Sequence, residues 1–136
     1  MRNVTVSRKA HFNAAHRLHN KEWDTKQNDS VFGKCANPFY HGHNYEIIAA
    51  VTGPIDPVTG YVIDMKVLKD IIKEEVEIPF DHKNLNEQVE DFKNLNPTAE
   101  NICVVIYDKM KKRLDSSLTL KITLYETPRN FVEYSE

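Results

Sequence analysis

Apolar and polar residues alternate from Val4 to His16: Val4, Val6, Ala10, Phe12 and Ala14 take the even positions, interrupted by Arg8, and the odd ones are mostly polar. A period of two marks a strand with one buried face, because successive side chains point to opposite sides. It predicts a first strand over about Val4 to Phe12, with His16 continuing the buried register. The alternation recurs from His41 to Thr52, where Tyr45, Ile47, Ala49 and Val51 share a face with His41 and His43. The turn-rich stretch from Gly53 to Gly60 leads into a short apolar segment, Tyr61-Val62-Ile63, that can continue a hairpin. The period then changes. Val67, Leu68, Ile71, Ile72 and Val76 form a helical stripe that Asp64 can cap and Pro79 should stop. Ile102, Val105, Ile106, Met110 and Leu114 form a second stripe behind Asn96-Pro97-Thr98. Closing strands are expected at Thr119 to Tyr125 and Phe131 to Tyr134, and Asn20 to Ser30 reads as a polar loop. The order strand, strand, helix, helix, strand, strand describes an α+β chain, expected to be one domain over residues 1–136.

Composition narrows the function classes. The chain has 136 residues, 40% hydrophobic and 28% charged, with a formal charge of -2. These are ordinary globular values, without the basic footprint expected of a nucleic-acid or membrane-surface protein. No apolar run approaches a membrane span and Met1-Arg2-Asn3-Val4 carries no apolar signal region, so cytoplasm is the expected compartment. Two cysteines without a secretory signal read as thiols, with Cys103 an inert core residue. Lys109, Lys111, Lys112 and Arg113 complement the end of the second helix rather than form a phosphate site.

The chemistry concentrates in Cys35-Ala36-Asn37-Pro38-Phe39-Tyr40-His41-Gly42-His43-Asn44-Tyr45. His41 and His43 project to the same side of an extended segment, at the mouth of an apolar face, and His16 falls on the corresponding register of the first strand. Three neutral imidazoles suit zinc and leave one tetrahedral position open for substrate. His11 and His19 read as solvated. In the last strand pair Leu118, Leu120, Ile122 and Leu124 share a face, and Glu126 is next in register. A carboxylate there turns to solvent, pairs with Arg129, or meets a ligand rich in donors. Asp81-His82 is either a turn or an acid-base pair, and Thr98 and Glu100 either cap the second helix or serve a site.

In its order of motifs the chain resembles the 6-pyruvoyltetrahydropterin synthases and the related 6-carboxytetrahydropterin synthases. The stretches that carry the resemblance are Phe12 to His19, Phe32 through Tyr45, Ile55 to Gly60, Asp81-His82-Lys83-Asn84-Leu85, Pro97-Thr98-Ala99-Glu100-Asn101 and Tyr125-Glu126-Thr127, spread over nearly the whole sequence. The resemblance implies the T-fold, an antiparallel four-stranded sheet with two helices on one face, closed into a trimeric barrel and stacked into a homohexamer. It implies zinc (Zn2+) held by His16, His41 and His43, Cys35 as a catalytic acid-base, and Asp81 with His82 as the remaining pair, lent by a neighbouring subunit. It assigns Glu126 as the pterin anchor and Thr98 and Glu100 as further pterin contacts.

The implied substrate is a small pterin, 7,8-dihydroneopterin triphosphate. Its side chain would undergo an internal redox by proton movement and then lose triphosphate, without nicotinamide or flavin. Arg17, Lys26 and Lys34 are cations available to that triphosphate, and each reads equally as a solvated side chain. Five residues separate Cys35 from His41, a spacing that resembles the pyruvoyl branch; the alternative is the carboxy branch, which leads to deazapurine nucleosides. A further alternative is a non-enzymatic zinc domain in which Cys35 closes the site as a fourth ligand.

Overall fold

In a computed structural model, residues 2–136 are described. The sheet has five strands in the order β3-β1-β2-β4-β5, with β1 at Asn3–His16, β2 at His41–Pro54, β3 at Lys83–Asn84, β4 at Thr119–Tyr125 and β5 at Phe131–Ser135. Four of these are the expected antiparallel strands. The fifth, β3, is a two-residue parallel graft onto the end of β1, pairing Ala14 with Lys83 and Ala15 with Asn84. The frame is the β1–β2 ladder, which runs unbroken from Asn3 opposite Pro54 to His16 opposite His41. Both strands are longer than their apolar alternation, because backbone pairing continues through the histidines after the apolar residues end.

One face of this sheet is buried. Phe12, Ala14, Tyr45, Ile47, Ala49, Val51, Leu120, Ile122 and Leu124 pack against Leu68, Ile72, Ile102, Ile106 and Met110 from the helices. Burial of each large aliphatic side chain stabilises the fold by roughly 1.5–3 kcal/mol relative to leaving it in water. The helices begin where their caps predict. Asp64 accepts from the Lys66 amide at 2.9 Å to start α2 at Met65–Ile72. Thr98 accepts from the Asn101 amide at 3.1 Å to start α5 at Ala99–Lys111. Of the α2 stripe, Val67 departs from expectation, lying 48% exposed.

The helix stops near Pro79 as expected: α2 passes through a π-helical stretch, Lys73–Glu77, into α3 at Ile78–Phe80, and the backbone turns extended at Asp81. Two expectations are corrected. The polar loop contains α1 at Thr25–Phe32, capped by Asp24 through the Gln27 amide at 2.8 Å and anchored by buried Asn28. Asn28 bonds to the Asn20, Trp23 and Asp24 carbonyls, so polar side-chain bonding replaces the apolar stripe that sequence reading looks for. Finally, Tyr61-Val62-Ile63 does not form a strand. A further short helix, α4 at Leu85–Gln88, follows β3, and no helix of the described residues is long and apolar enough to cross a membrane.

Candidate active site

The end of the β1–β2 ladder carries the site. Because His16 pairs with His41 and Ala14 with His43, the three imidazoles emerge from adjacent strands on the same face, and their ring centroids lie 4.6, 5.1 and 5.0 Å apart. One nitrogen from each falls within 4.8 Å of the others. His16 is buried, and burial, foremost, pushes its pKa down to about 4, with the His41 and His43 rings adding to the effect and the Pro97 carbonyl opposing it. Desolvation also lowers His43, against the pull of the nearby Glu126 carboxylate. At neutral pH His16 and His43 are therefore uncharged.

Hydrogen-bond accounting fixes how the cluster faces. His16 Nδ1 lies 2.8 Å from the Pro97 carbonyl. A carbonyl only accepts, so Nδ1 carries the proton and the Nε2 lone pair is left for another partner. His41 Nδ1 is buried with no hydrogen-bond partner. A buried ring nitrogen in that condition costs free energy unless something occupies it. Glu126 brings a carboxylate oxygen to 4.0 Å from His16 Nε2, so lone pairs and negative charge converge on one point. The donor set fits a divalent cation of borderline softness, held by His16, His41 and His43.

Around this cluster the other expected residues divide into two groups. Glu126 sits with the imidazoles, not paired with Arg129, and shares a cavity of about 320 Å³ with Ala99, Glu100 and Arg129. Thr98 starts α5 beside Pro97, whose carbonyl orients His16, so its cap role and its place near the site coexist. Cys35 is half-buried on the short turn Gly33–Ala36, tied down by the Leu18 amide donating to its carbonyl at 2.7 Å. Its sulfur does not belong to the group of ligand atoms formed by the three histidines.

Asp81 and His82 form the second group. The Asp81 carboxylate meets His82 Nδ1 at 3.0 Å, and Asn13 clamps the pair by donating its amide to Asp81 Oδ1 at 2.9 Å and accepting from the His82 amide at 2.6 Å. The Asn13 amide, foremost, holds the Asp81 carboxyl below its usual range. His82 adopts φ 58° and its side chain is 83% exposed. The groups of Asn13 that hold the pair are backbone groups in the plane of the sheet, so Asp81 and His82 stand at the β1 edge, and neither belongs to the cluster of ligand atoms formed by the three histidines.

Tyr45 is a neighbour that sequence reading placed only in the core. Its hydroxyl lies 3.3 Å from His16 Nδ1 and 3.4 Å from Nε2. Equal distances to both nitrogens place the oxygen along the lone pair of neither, so it backs the ring instead of competing for it. The signal available in the sequence was its register, two residues beyond His43. Burial, foremost, raises the Tyr45 pKa, which keeps the hydroxyl neutral.

A sequence model described as 6-pyruvoyl tetrahydropterin synthase matches residues 5–136. The chain is similar to the 6-pyruvoyl tetrahydrobiopterin synthases of Poecilia reticulata, 45% identical over 95% of this chain and 88% of that one, and of Homo sapiens, 43% identical over 95% and 89%. It is more distantly similar to the 6-carboxy-5,6,7,8-tetrahydropterin synthase of Rickettsia conorii, 30% identical over 96% and 99%. Among solved structures, the 6-pyruvoyl tetrahydropterin synthase of Caenorhabditis elegans superposes with a TM-score of 0.93 at 38% identity, covering 100% of this chain and 97% of that one.

The depressed His16 pKa predicts a pH dependence. The unfolded chain, with His16 at its ordinary value of 6.5, binds more protons than the folded chain down to about 4. Metal-free protein should therefore hold this contribution in full above about pH 6.5 and lose it as pH falls towards 4, to the extent of about 3 kcal/mol at most. Urea midpoints of metal-free protein between pH 7 and 4.5 measure the slope, which should flatten in His16→Gln. Equal slopes in the two proteins would contradict the assignment.

Proposed function

The chain belongs to the 6-pyruvoyl tetrahydropterin synthase family, and from that premise we propose that it converts 7,8-dihydroneopterin triphosphate to 6-pyruvoyltetrahydropterin with loss of triphosphate, at a zinc site held by His16, His41 and His43. The observation that carries this reading is the convergence of three imidazoles and the Glu126 carboxylate at one strand end, with His41 Nδ1 buried and unpartnered. When bound, zinc supplies Lewis acidity that makes the carbon-hydrogen bonds of a substrate side chain easier to ionise.

The protein's own residues supply the rest. Glu126 accepts two hydrogen bonds from the amino and ring N–H groups of the pterin, an arrangement a carboxylate meets with both oxygens, and Glu100 and Thr98 line the approach. Cys35 takes a proton from one side-chain carbon and a proton is returned at another position. The electron pair moves from side chain to ring, so no external oxidant is consumed, and triphosphate departs as the leaving group. Asp81 accepts from His82 Nδ1, fixing the imidazole so that its other nitrogen exchanges protons with the thiol side.

Because Asp81 and His82 are held at the β1 edge, outside the imidazole cluster of their own chain, they are assigned to the site of a neighbouring copy. The sheet offers a route to that assembly. Backbone groups of β1 from Asn3 to Phe12 have no strand partner on the β3 side, and β5 has none on its outer side. Joining the two edges between copies closes the sheet, as a trimeric barrel and then a homohexamer, and removes edges that would otherwise template aggregation.

Incubating purified zinc-loaded protein with 7,8-dihydroneopterin triphosphate and resolving the products by mass tests the activity. A pyruvoyl product supports the reading, a carboxy product moves the chain to the other branch, and unchanged substrate with full zinc occupancy leaves a binding domain. Cys35→Ala should keep zinc and assembly while turnover falls by about a hundredfold or more. Loss of zinc in that variant would instead mean that sulfur is a ligand. Glu126→Gln turns one acceptor oxygen into a donor facing the ring's own donors, so binding of a non-reactive pterin such as biopterin should weaken by on the order of 1 to 3 kcal/mol, with zinc content unchanged. Parent-like affinity would remove Glu126 from the pterin site.

Shared sites also predict complementation. Cys35→Ala and His82→Ala chains, each inactive alone, should regain roughly a quarter of parental turnover when co-refolded in equal amounts, because mixed assemblies contain sites that draw Cys35 and His82 from different chains. A mixture as inactive as its components would place both groups in one chain's site.

A further inference from the structure

A cavity of about 580 Å³ lies beside the histidine cluster rather than within it. Arg17 and Tyr40 are on its wall, and they are the chain neighbours of His16 and His41, which face each other across the ladder. The cavity therefore begins one residue, about 3.3 Å of strand, from the candidate metal ligands. Three cations line it, Arg17, Lys21 and Lys93.

What distinguishes them is that they gather round one cavity, since among the described lysines and arginines only Lys109, Arg113 and Lys121 are ion-paired, with Asp91, with Glu74 and Glu75, and with Glu133. Among the described residues, Arg17, Lys21 and Lys93 have no ion pair, although Glu87 and Glu90 line the same cavity. Glu87 is instead engaged by the Tyr40 hydroxyl. Arg17 gives one N–H to the Ala36 carbonyl at 2.8 Å, and its Nε is buried without a partner. Lys21 gives one of its three N–H groups to the Lys93 carbonyl at 3.1 Å, leaving two. His19, on the same wall, has a pKa lowered by partial desolvation first and then by the charges of Arg17 and Lys21. Unpaired cations with spare donors around a cavity this size constitute a receptor for a multiply charged anion.

We propose that this cavity, walled by Arg17, Lys21 and Lys93, holds the polyphosphate tail of the substrate while the pterin lies against Glu126, and retains inorganic triphosphate until release. The proposal rests on the synthase reading above, and it adds a residue set for the leaving group. Of the cations open to that role in the sequence, only Arg17 belongs to it. Lys26 and Lys34 do not line the cavity, while Lys21 and Lys93 come from segments more than seventy residues apart that only the fold brings together. Cations placed on the leaving group also favour its departure, because they stabilise the negative charge that develops as the bond to carbon breaks.

The test uses zinc-loaded protein and inorganic tripolyphosphate as probe, titrated calorimetrically and as an inhibitor of turnover. Zinc is assayed before and after, since polyphosphates chelate divalent cations. Lys21→Ala with Lys93→Ala should weaken tripolyphosphate binding by roughly tenfold or more and raise the KM for 7,8-dihydroneopterin triphosphate in parallel, while affinity for biopterin, which has no phosphate, stays at the parental value. The single Lys93→Ala, whose side chain makes no internal hydrogen bond, guards against a folding defect and should show part of the same loss. Parent-like tripolyphosphate binding in the double variant, or equal losses for tripolyphosphate and biopterin, would overturn the proposal. A parent protein that binds neither biopterin nor substrate overturns the synthase reading, and with it the tail as occupant; one that binds biopterin but not tripolyphosphate overturns only the cavity assignment.

Discussion

The site depends on the register of one antiparallel ladder. His16 faces His41 and Ala14 faces His43 because β1 and β2 pair without a bulge from Asn3 opposite Pro54 onwards. A slip of one residue would turn an entire strand over, moving Phe12, Ala14 and His16 to the open face together. The register is held by the same side chains that form the core: Phe12 stacks on Tyr45 with centroids 4.9 Å apart, and both are buried. Core packing and ligand convergence are thus one constraint. The histidines occupy the last rungs, where the helices no longer cover the sheet completely and His41 and His43 remain half-buried.

That arrangement resolves a conflict of burial. A buried charged imidazole would be costly, and a fully solvated one would be protonated near neutrality and loosely oriented. His16 is buried enough to stay neutral, and the Pro97 carbonyl directs its proton away from the cluster. The chain supplies that carbonyl just before α5 starts, so the helix cap at Thr98 and the orientation of His16 are set by adjacent residues. Glu126 closes the group from the end of β4, extending the apolar face of Leu120, Ile122 and Leu124.

Period-two alternation made this much legible in the sequence: it orders the histidines, Glu126 and the core of β4 by parity alone, and the caps at Asp64 and Thr98 follow from side-chain chemistry. What it could not show was built from other interactions. The helix Thr25–Phe32 is organised around buried Asn28 and its bonds to three carbonyls, which leaves no apolar stripe to detect. The strand Lys83–Asn84 is too short for any periodicity and exists because Asn13 clamps the preceding turn. Lys21 and Lys93 stand in unremarkable polar surroundings in the sequence and meet only through tertiary contact.

Backbone geometry carries one consequence further. Asn13 holds Asp81 and His82 through its own N–H and C=O, which lie in the plane of the sheet and point to the edge of β1 rather than to either face. The pair stands at that edge, outside the cluster of the three imidazoles, and it is the proposed synthase reading that assigns it to the site of a second chain. The left-handed backbone at His82, φ 58°, is strained for a residue with a side chain, and it directs the imidazole into solvent. Under the proposed assembly, copies joined along the unpaired edges of β1 and β5 would turn that exposed imidazole towards a neighbour, and the edges that would make a lone sheet aggregation-prone would be the same ones that complete the site, so one association would meet both requirements.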